Sequence, residues 1–569
     1  MKKIRWQIII ILLTGLVVGI LLIGQQPTIQ PTAPKPTEGG IYTEGLIGNL
    51  SRLNPLFDLY NPVDRDVDRL IFSGLIRFDS KGMPVADLAE SWGYSKDGTL
   101  YNISLRPNLK WHDGQPLTSD DVVFTIDLMR SESSYIPEDI RTFWKDVDVK
   151  ALNDVTLQFR LPEPFSPFLD YLTFGILPKH IIGDMSVDDL VGSQFNLKPV
   201  GSGPYKLDYL IVEDNQIKGV VLSVFDDYYA KKPYIQQIVF RYYPDSASVM
   251  QAYKDGQVQG ISKVTPDVLS EALNEPKLSI YTGRLPRMTL VLFNLNDPEV
   301  TFLQDANVRR ALMEAINRQW IIDRIMGGQA LIASGPILPD TWSYYDGIEA
   351  IPYDTDAAAS LLKESGYTFP TVEGKDPNVL VDKDGQSLAF TMLYPDDETH
   401  AAVAKAIQDN WQKIGVKVDL EAVPYDQLIQ DHLDQRSYQA ALVDLNLARS
   451  PDPDPYPFWD QAQITGGQNY SQWDDRVASE YLEQARVTID QTERTRLYRN
   501  FQVIFQKELP ALPLYYPVYT YAVDQEVQGV QMGPLFDPSD RFATIQSWYL
   551  VAKRTVDQTS ELPTATPNP

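Results

Sequence analysis

The apolar period of the chain changes near residue 290, and that change restricts the folds open to it more than any other feature. Before it, short extended stretches such as 220–225 and 238–243 are separated by turns rich in Pro, Gly and Asp, which predicts mixed sheet. After it, strand and helix alternate. Residues 290–295 read as a strand, and Val308, Leu312, Ile316 and Trp320 fall on one helical stripe closed by Gly327 and Gly328. Asp354 caps a helix through Leu361 and Leu362 that ends at Gly366, and 388–393 is a strand. Val403, Ile407, Trp411 and Ile414 mark a helix, Val416, Val418 and Leu420 a strand, and 440–447 another strand. Helices follow over 475–507, then a strand over 512–523. The chain reads as α/β.

A length of 569 residues exceeds what one core holds and predicts two or three domains. The formal charge of −26 gives solubility and argues against nucleic acid, whose phosphates need clustered cations. Cysteine is absent, which removes disulfides, thiolate metal sites and a cysteine nucleophile. The four histidines, His112, His180, His400 and His432, have no metal-ligand spacing, and no cofactor is implied. His112 reads as a surface turn residue. Paired carboxylates such as Asp120 and Asp121 read as solvated, and neither a nucleophile elbow nor a phosphate loop occurs. No enzyme activity is expected.

Lys2, Lys3 and Arg5 precede an apolar run over 8–24, about 25 Å long as a helix. With Ile4 and Trp6 it reaches the roughly 30 Å of a hydrocarbon core, and no small-residue cleavage site follows. We read 1–24 as an uncleaved signal-anchor, with a cleaved signal peptide as the alternative, that tethers the protein to the membrane with the body on the extracytoplasmic face. Residues 25–40 form a Pro-rich tether, and 553–569 a disordered tail.

Residues 84–128 hold the clearest local pattern. Leu100, Tyr101, Ile103 and Leu105 alternate with Asn102, Ser104 and Arg106 as a half-buried strand; WHDGQP at 111–116 supplies a turn. Thr118 and Asp121 form a capping box, followed by the helical face Val122, Val123, Ile126 and Met129. This block resembles the signature of the family 5 extracellular solute-binding proteins, the peptide-, dipeptide- and nickel-binding subunits of ABC transporters. Collinear matches extend the resemblance over roughly 40–550: LNPLFD at 53–58, IFSGLIRFD at 71–79, NLKPVGSGPYKL at 196–207, DANVRRALMEAINRQWIIDRI at 305–325, NYSQWDD at 469–475 and QKELPALPLYY at 506–516.

The resemblance implies a periplasmic-binding-protein-like, type II, three-domain clamshell with mixed sheets. Lobe I would be 41–72, 198–288 and 522–552, the inserted domain II 73–197, and lobe III 289–521. It implies capture of a peptide or other small polar solute, with permease and ATPase subunits as partners. Peptide main chain would pair with Asn61, Val63 and Asp64 on one lobe and with Leu445, Asn446 and Leu447 on the other. Tyr456, Trp459, Tyr470 and Trp473 are candidate stacking groups. Aligning the D-P turn on Asp452 and Pro453 puts Arg449 where relatives carry an aspartate for the peptide ammonium. A cation there favours an oligosaccharide, organic anion or metal chelate instead. Asp444 and Asp452 are the alternative ammonium partners. A surface hydrolase or adhesion protein is the reading outside the binding class. The absence of cysteine also removes the lipid anchor used by many relatives.

Overall fold

Tyr101, Ile103 and Leu105 turn inward and Asn102 outward along the strand Leu100–Leu105, the alternation their sequence predicts. It lies in a four-stranded antiparallel sheet with Ala89–Tyr94, Asp148–Asn153 and Thr156–Arg160. The Trp111 N–H donates to Gln115 O at 2.8 Å, and Gly114 takes φ +88° to close the turn. The Thr118 N–H then donates to Asp121 Oδ2 at 2.9 Å, which caps the helix Ser119–Met129. Val122, Ile126 and Met129 are buried against this sheet's core with Trp111, Trp144 and Phe168, whereas Val123 is half-buried.

The computed structural model of the chain describes residues 36–371, 374–447, 451–533 and 535–551. The expected signal-anchor at 1–24, most of the tether and the tail at 553–569 lie outside the described residues. Among the described residues no helix is long and apolar enough to cross a membrane. The body is Glu38–Leu550.

A mixed sheet of 12 strands dominates the body. In chain order its strands are β1 (Ile41–Ile47), β2 (Tyr205–Glu213), β3 (Gln216–Val224), β4 (Gln237–Tyr243), β5 (Gly260–Ile261) and β6 (Leu278–Arg284). These are followed by β7 (Arg287–Phe293), β8 (Ala330–Ile332), β9 (Ala389–Pro395), β10 (Lys417–Val423), β11 (Ala440–Asn446) and β12 (Ala511–Asp524). The spatial order is β10-β9-β11-β7-β12-β5-β1-β4-β3-β2, with β6 and β8 also paired to β12. β1 runs parallel to β4, and β9 parallel to β10, as crossover connections require.

β12 takes part in two separate cores. Its first half, from Ala511 to Tyr516, is buried with β7, β9, β11 and the helix Glu398–Lys413, whose Val403, Ile407 and Trp411 are fully enclosed. Tyr519, Tyr521 and Val523 are buried instead with β1, β3, β4 and the helix Pro62–Ile71. Leu177, Ile182, Leu190 and Phe195 also pack into this second core. The chain passes between the cores twice, through Leu285 and Pro286 after β6 and through Pro517 within β12. In the second core Arg541 is fully enclosed, with Nη2 2.8 Å from Glu44 Oε1 and Nη1 2.6 Å from Asp66 Oδ1.

Two expectations change. The stripe from Val308 to Trp320 is two helices, Ala306–Glu314 and Arg318–Arg324, because Asn317 accepts from the Trp320 N–H and starts a new helix. Trp320 is consequently 47% exposed. His112 is not a surface turn residue: its Nδ1 accepts from the Gly201 N–H at 3.2 Å and its Nε2 faces Gly203 O at 3.1 Å. Gly203 in turn donates to Ile71 O at 2.7 Å, where a Cβ would come within 2.4 Å of Leu70 O. The histidine thus pins the 201–203 turn to the end of the helix Pro62–Ile71.

Burial outweighs the bond to Gly203 and pushes the His112 pKa down to about 4. The unfolded chain binds the extra proton between about pH 6.5 and 4, so this stability is present above that window and is lost as the pH falls through it. His112→Asn should flatten the acid side of the stability profile by on the order of 3 kcal/mol between pH 7 and 4. Urea midpoints of both proteins across that range measure it, and parallel profiles would show that His112 does not titrate as described.

Candidate ligand-binding site

β11 runs antiparallel to β7, so Asn446 faces Arg287, Leu445 faces Met288 and Asp444 faces Thr289. Parallel pairing of β11 with β9 covers only Ala440 and Ala441, opposite Met392 and Leu393. From Leu442 to Leu445 the β9 side of β11 therefore has no partner strand among the described residues. Against the β7–β11 pair lies a cavity of about 40 Å³, lined by Leu290, Val443, Asp444, Leu445, Trp459 and Tyr470 among others. A water needs roughly 10–15 Å³ by the same measure, so the cavity suits one side chain and not a whole ligand.

Asp444 is the carboxylate among the lining residues, with 17% of its side chain exposed. Thr289 Oγ1 donates to its Oδ1 at 2.5 Å, Arg287 Nη1 lies 3.4 Å from Oδ2, and His400 Nε2 lies 3.7 Å from Oδ1. Asp397 caps the helix Glu398–Lys413 and holds the other face of the imidazole, with His400 Nδ1 at 2.6 Å. Burial disfavours charge on Asp444, but His400, Thr289 and Arg287 outweigh it and hold its pKa below the usual carboxylate value. Burial likewise opposes protonation of His400; Asp444 and Asp397 prevail and raise its pKa. The cluster is an ionised carboxylate held by Thr289, the Arg287 guanidinium and an imidazole whose charged form it favours.

The sequence-derived candidates divide accordingly. Leu445, Trp459 and Tyr470 meet at the cavity. Tyr470 also lies under the Arg436 guanidinium at 4.9 Å. The Leu447 N–H is committed to Pro286 O at 2.8 Å. Trp473 does not stack toward the cavity; it is buried on Phe501 and Phe505. Tyr456 lies 4.2 Å beneath Arg486. Asn61 caps the helix Pro62–Ile71 by accepting from the Val63 N–H, and the Val63 side chain is core. The Asp64 carboxylate accepts from the Ser51 and Arg52 N–H groups at 2.7 and 2.9 Å. The Val63 N–H and the Asp64 side chain are therefore spent within the fold. Arg449 lies outside the described residues.

Asp452, an alternative ammonium partner, is already ion-paired. Arg494 Nη2 lies 2.5 Å from its Oδ2, both side chains being 7% exposed, and Tyr498 Oη donates to Oδ1 at 3.3 Å. Its N–H donates to Asp170 Oδ2 at 2.9 Å, which joins 451–494 to the segment carrying the four-stranded sheet. Sequence reasoning weighed Asp444 only as an alternative and did not single out Thr289, Arg287 or His400. The signal was the register of β7 against β11, which a linear reading does not supply.

The profile of the bacterial extracellular solute-binding proteins, family 5, matches residues 83–467. The chain belongs to this family. It is 27% identical over 526 residues to the oligopeptide-binding protein AppA of Bacillus subtilis, covering 91% of this chain and 93% of that one. It is also 27% identical to the dipeptide-binding protein of Escherichia coli over 79% of this chain and 84% of that one. The structure of Bacillus subtilis AppA in complex with a nonapeptide superimposes with a TM-score of 0.66 at 25% identity, covering 91% of this chain and all of that one. The fold is thus the type II periplasmic-binding architecture, and the protein is a solute-binding protein of that kind.

Removing one member of the buried Asp452–Arg494 pair strands the other. Arg494→Met is expected to cost about 3–5 kcal/mol in urea unfolding, against less than about 1 kcal/mol for the exposed Arg496→Met. Equal losses would show the buried pair to be energetically ordinary.

Proposed function

We propose that the protein captures a peptide in extended conformation between two lobes and passes it to the permease of an ABC importer. The observation that carries this reading is the Leu442–Leu445 edge of β11, which lacks a partner strand among the described residues and runs near a cavity sized for one side chain. A peptide laid along that edge would gain main-chain hydrogen bonds whatever its sequence, while the cavity would select one side chain. The lobes in this reading are 41–72 with 198–288 and 522–552, and 289–521, with 73–197 inserted. The crossings at Leu285 and Pro517 support closure as a hinge, because two connections forbid free tumbling. The chain makes and breaks no bond in this scheme. Its apolar segment at 1–24 holds the body at the extracytoplasmic face of the membrane, and ATP is consumed by separate subunits. The similarity to oligopeptide- and dipeptide-binding proteins supports the choice of peptide.

Asp444 then accepts an N–H group of the ligand, since Thr289, Arg287 and His400 hold its pKa low and orient its carboxylate. A charge-assisted hydrogen bond contributes about 1.5–3 kcal/mol, so Asp444→Asn should weaken peptide binding roughly 10- to 100-fold. A thermal-shift screen of peptides, oligosaccharides and organic anions tests the class. A peptide at about 100 times its dissociation constant should add about 2.7 kcal/mol of stability. Stabilisation by sugars or organic anions alone would refute the peptide reading.

A further inference from the structure

Five arginines are buried among the described residues: Arg284, Arg309, Arg318, Arg494 and Arg541. Four are satisfied within the fold. Arg541 pairs with Glu44 and Asp66, and Arg494 with Asp452. Arg309 donates to the carbonyls of Leu303, Glu508 and Leu509, and Arg318 to those of Ala333, Pro513 and Ile351. Arg284 is the exception. It is 6% exposed, yet its Nε and Nη1 are buried with no hydrogen-bond partner among the described residues. Asp340, Tyr344 and Tyr516 act on it only through space, and burial without a bonded anion disfavours its charge. A buried guanidinium without acceptors is costly, and guanidinium matches carboxylate in a two-bond fork.

Its place in the fold gives that guanidinium a use. Arg284 forms the last pair of β6 with β12, opposite Val518, immediately before the crossing at Leu285 and Pro286. Leu535 donates its N–H to the Arg284 carbonyl at 3.3 Å. On the far side of the crossing, Pro286 O receives the Leu447 N–H, and Arg287 reaches Asp444. Arg284 therefore stands on one core at the point where the chain enters the strand pair that carries the candidate site. We propose that Arg284 is the seat for a carboxylate brought by the ligand, either a peptide's terminal carboxylate or an acidic side chain. The proposal rests on the peptide reading above. Closure over such a ligand would fork its carboxylate across Nη2 and one of these two atoms, so the ligand supplies an acceptor for a buried N–H at the junction.

Calorimetric titration of the wild-type protein and of Arg284→Gln with three probes tests this: penta-alanine as the free acid, penta-alanine amide, and Ala-Ala-Glu-Ala-Ala amide. The wild type should bind at least one carboxylate-bearing probe about tenfold or more tighter than penta-alanine amide. A gain with the free acid assigns the seat to the chain terminus, and a gain with the glutamate amide assigns it to a side chain. In Arg284→Gln the gain should vanish while the affinity for penta-alanine amide stays within about threefold. Should the glutamine variant fail to fold, Arg284→Lys keeps the charge and removes the fork, and the gain should shrink. Equal affinity of all three probes for the wild type overturns the proposal and leaves the peptide reading standing. A gain that survives substitution does the same. If no peptide binds, the peptide reading falls and the proposal with it.

Discussion

The rest of the structure depends on β12. Few strands reach its length of 14 residues, and its two halves are buried in different cores. Pro517 sits between them, a residue without an N–H to offer a ladder. On one side Leu290 and Val291 of β7 pair with Pro513 and Leu512; on the other, β6 pairs from Val518 to Asp524. One strand thus aligns both cores, and bending it without unpairing either half requires movement near its middle. The second connection, at Leu285 and Pro286, lies beside that midpoint in the sheet, where the Leu285 N–H donates to Pro517 O, so the two crossings are neighbours.

Polar groups placed around this junction follow from that arrangement. Arg287 and Thr289 open β7, and register alone brings them to Asp444 on β11. His400 comes from the start of a helix that follows β9, so three segments far apart in sequence meet at one carboxylate. The segment bearing the four-stranded sheet is tied in separately, through Asp170 to the Asp452 backbone and through Ser166 Oγ to Thr488 O at 2.5 Å. That segment therefore touches both neighbours, the second core through Leu177 and Leu190 and the first through these bonds.

Local rules made much of the fold legible. The alternation at 100–105, the Thr118–Asp121 cap and the stripe Val403, Ile407, Trp411 each state their own structure, because burial and capping act over a few residues. Where a competing local bond existed, the stripe misled: Asn317 breaks the helix through Trp320. The site was less legible. Leu445, Trp459 and Tyr470 were identified from resemblance and meet at the cavity, but Trp473 is core and Asp452 belongs to Arg494. Neither partnership leaves a trace in sequence spacing, since Phe501, Phe505 and Arg494 come from a later helix. His112 was misread for the same reason, its partners lying about ninety residues downstream.

The Arg541 cluster bears on the order in which the chain can fold. Glu44 and Asp66 lie near the start of the body, whereas Arg541 and Tyr521, which enclose them, come almost at its end. β1 gains its neighbours β4 and β5 only after residue 237, and the core around Tyr42 awaits Trp548. The first part of the body to be synthesised is therefore the last to be sealed. Until the final segment emerges, two carboxylates destined for the interior remain without their cation and stay in water. The core from Met288 to Tyr516 is contiguous in sequence and carries no such debt to the amino terminus. Late closure of this kind raises the sequence separation of the contacts that complete the fold, and slow folding accompanies it.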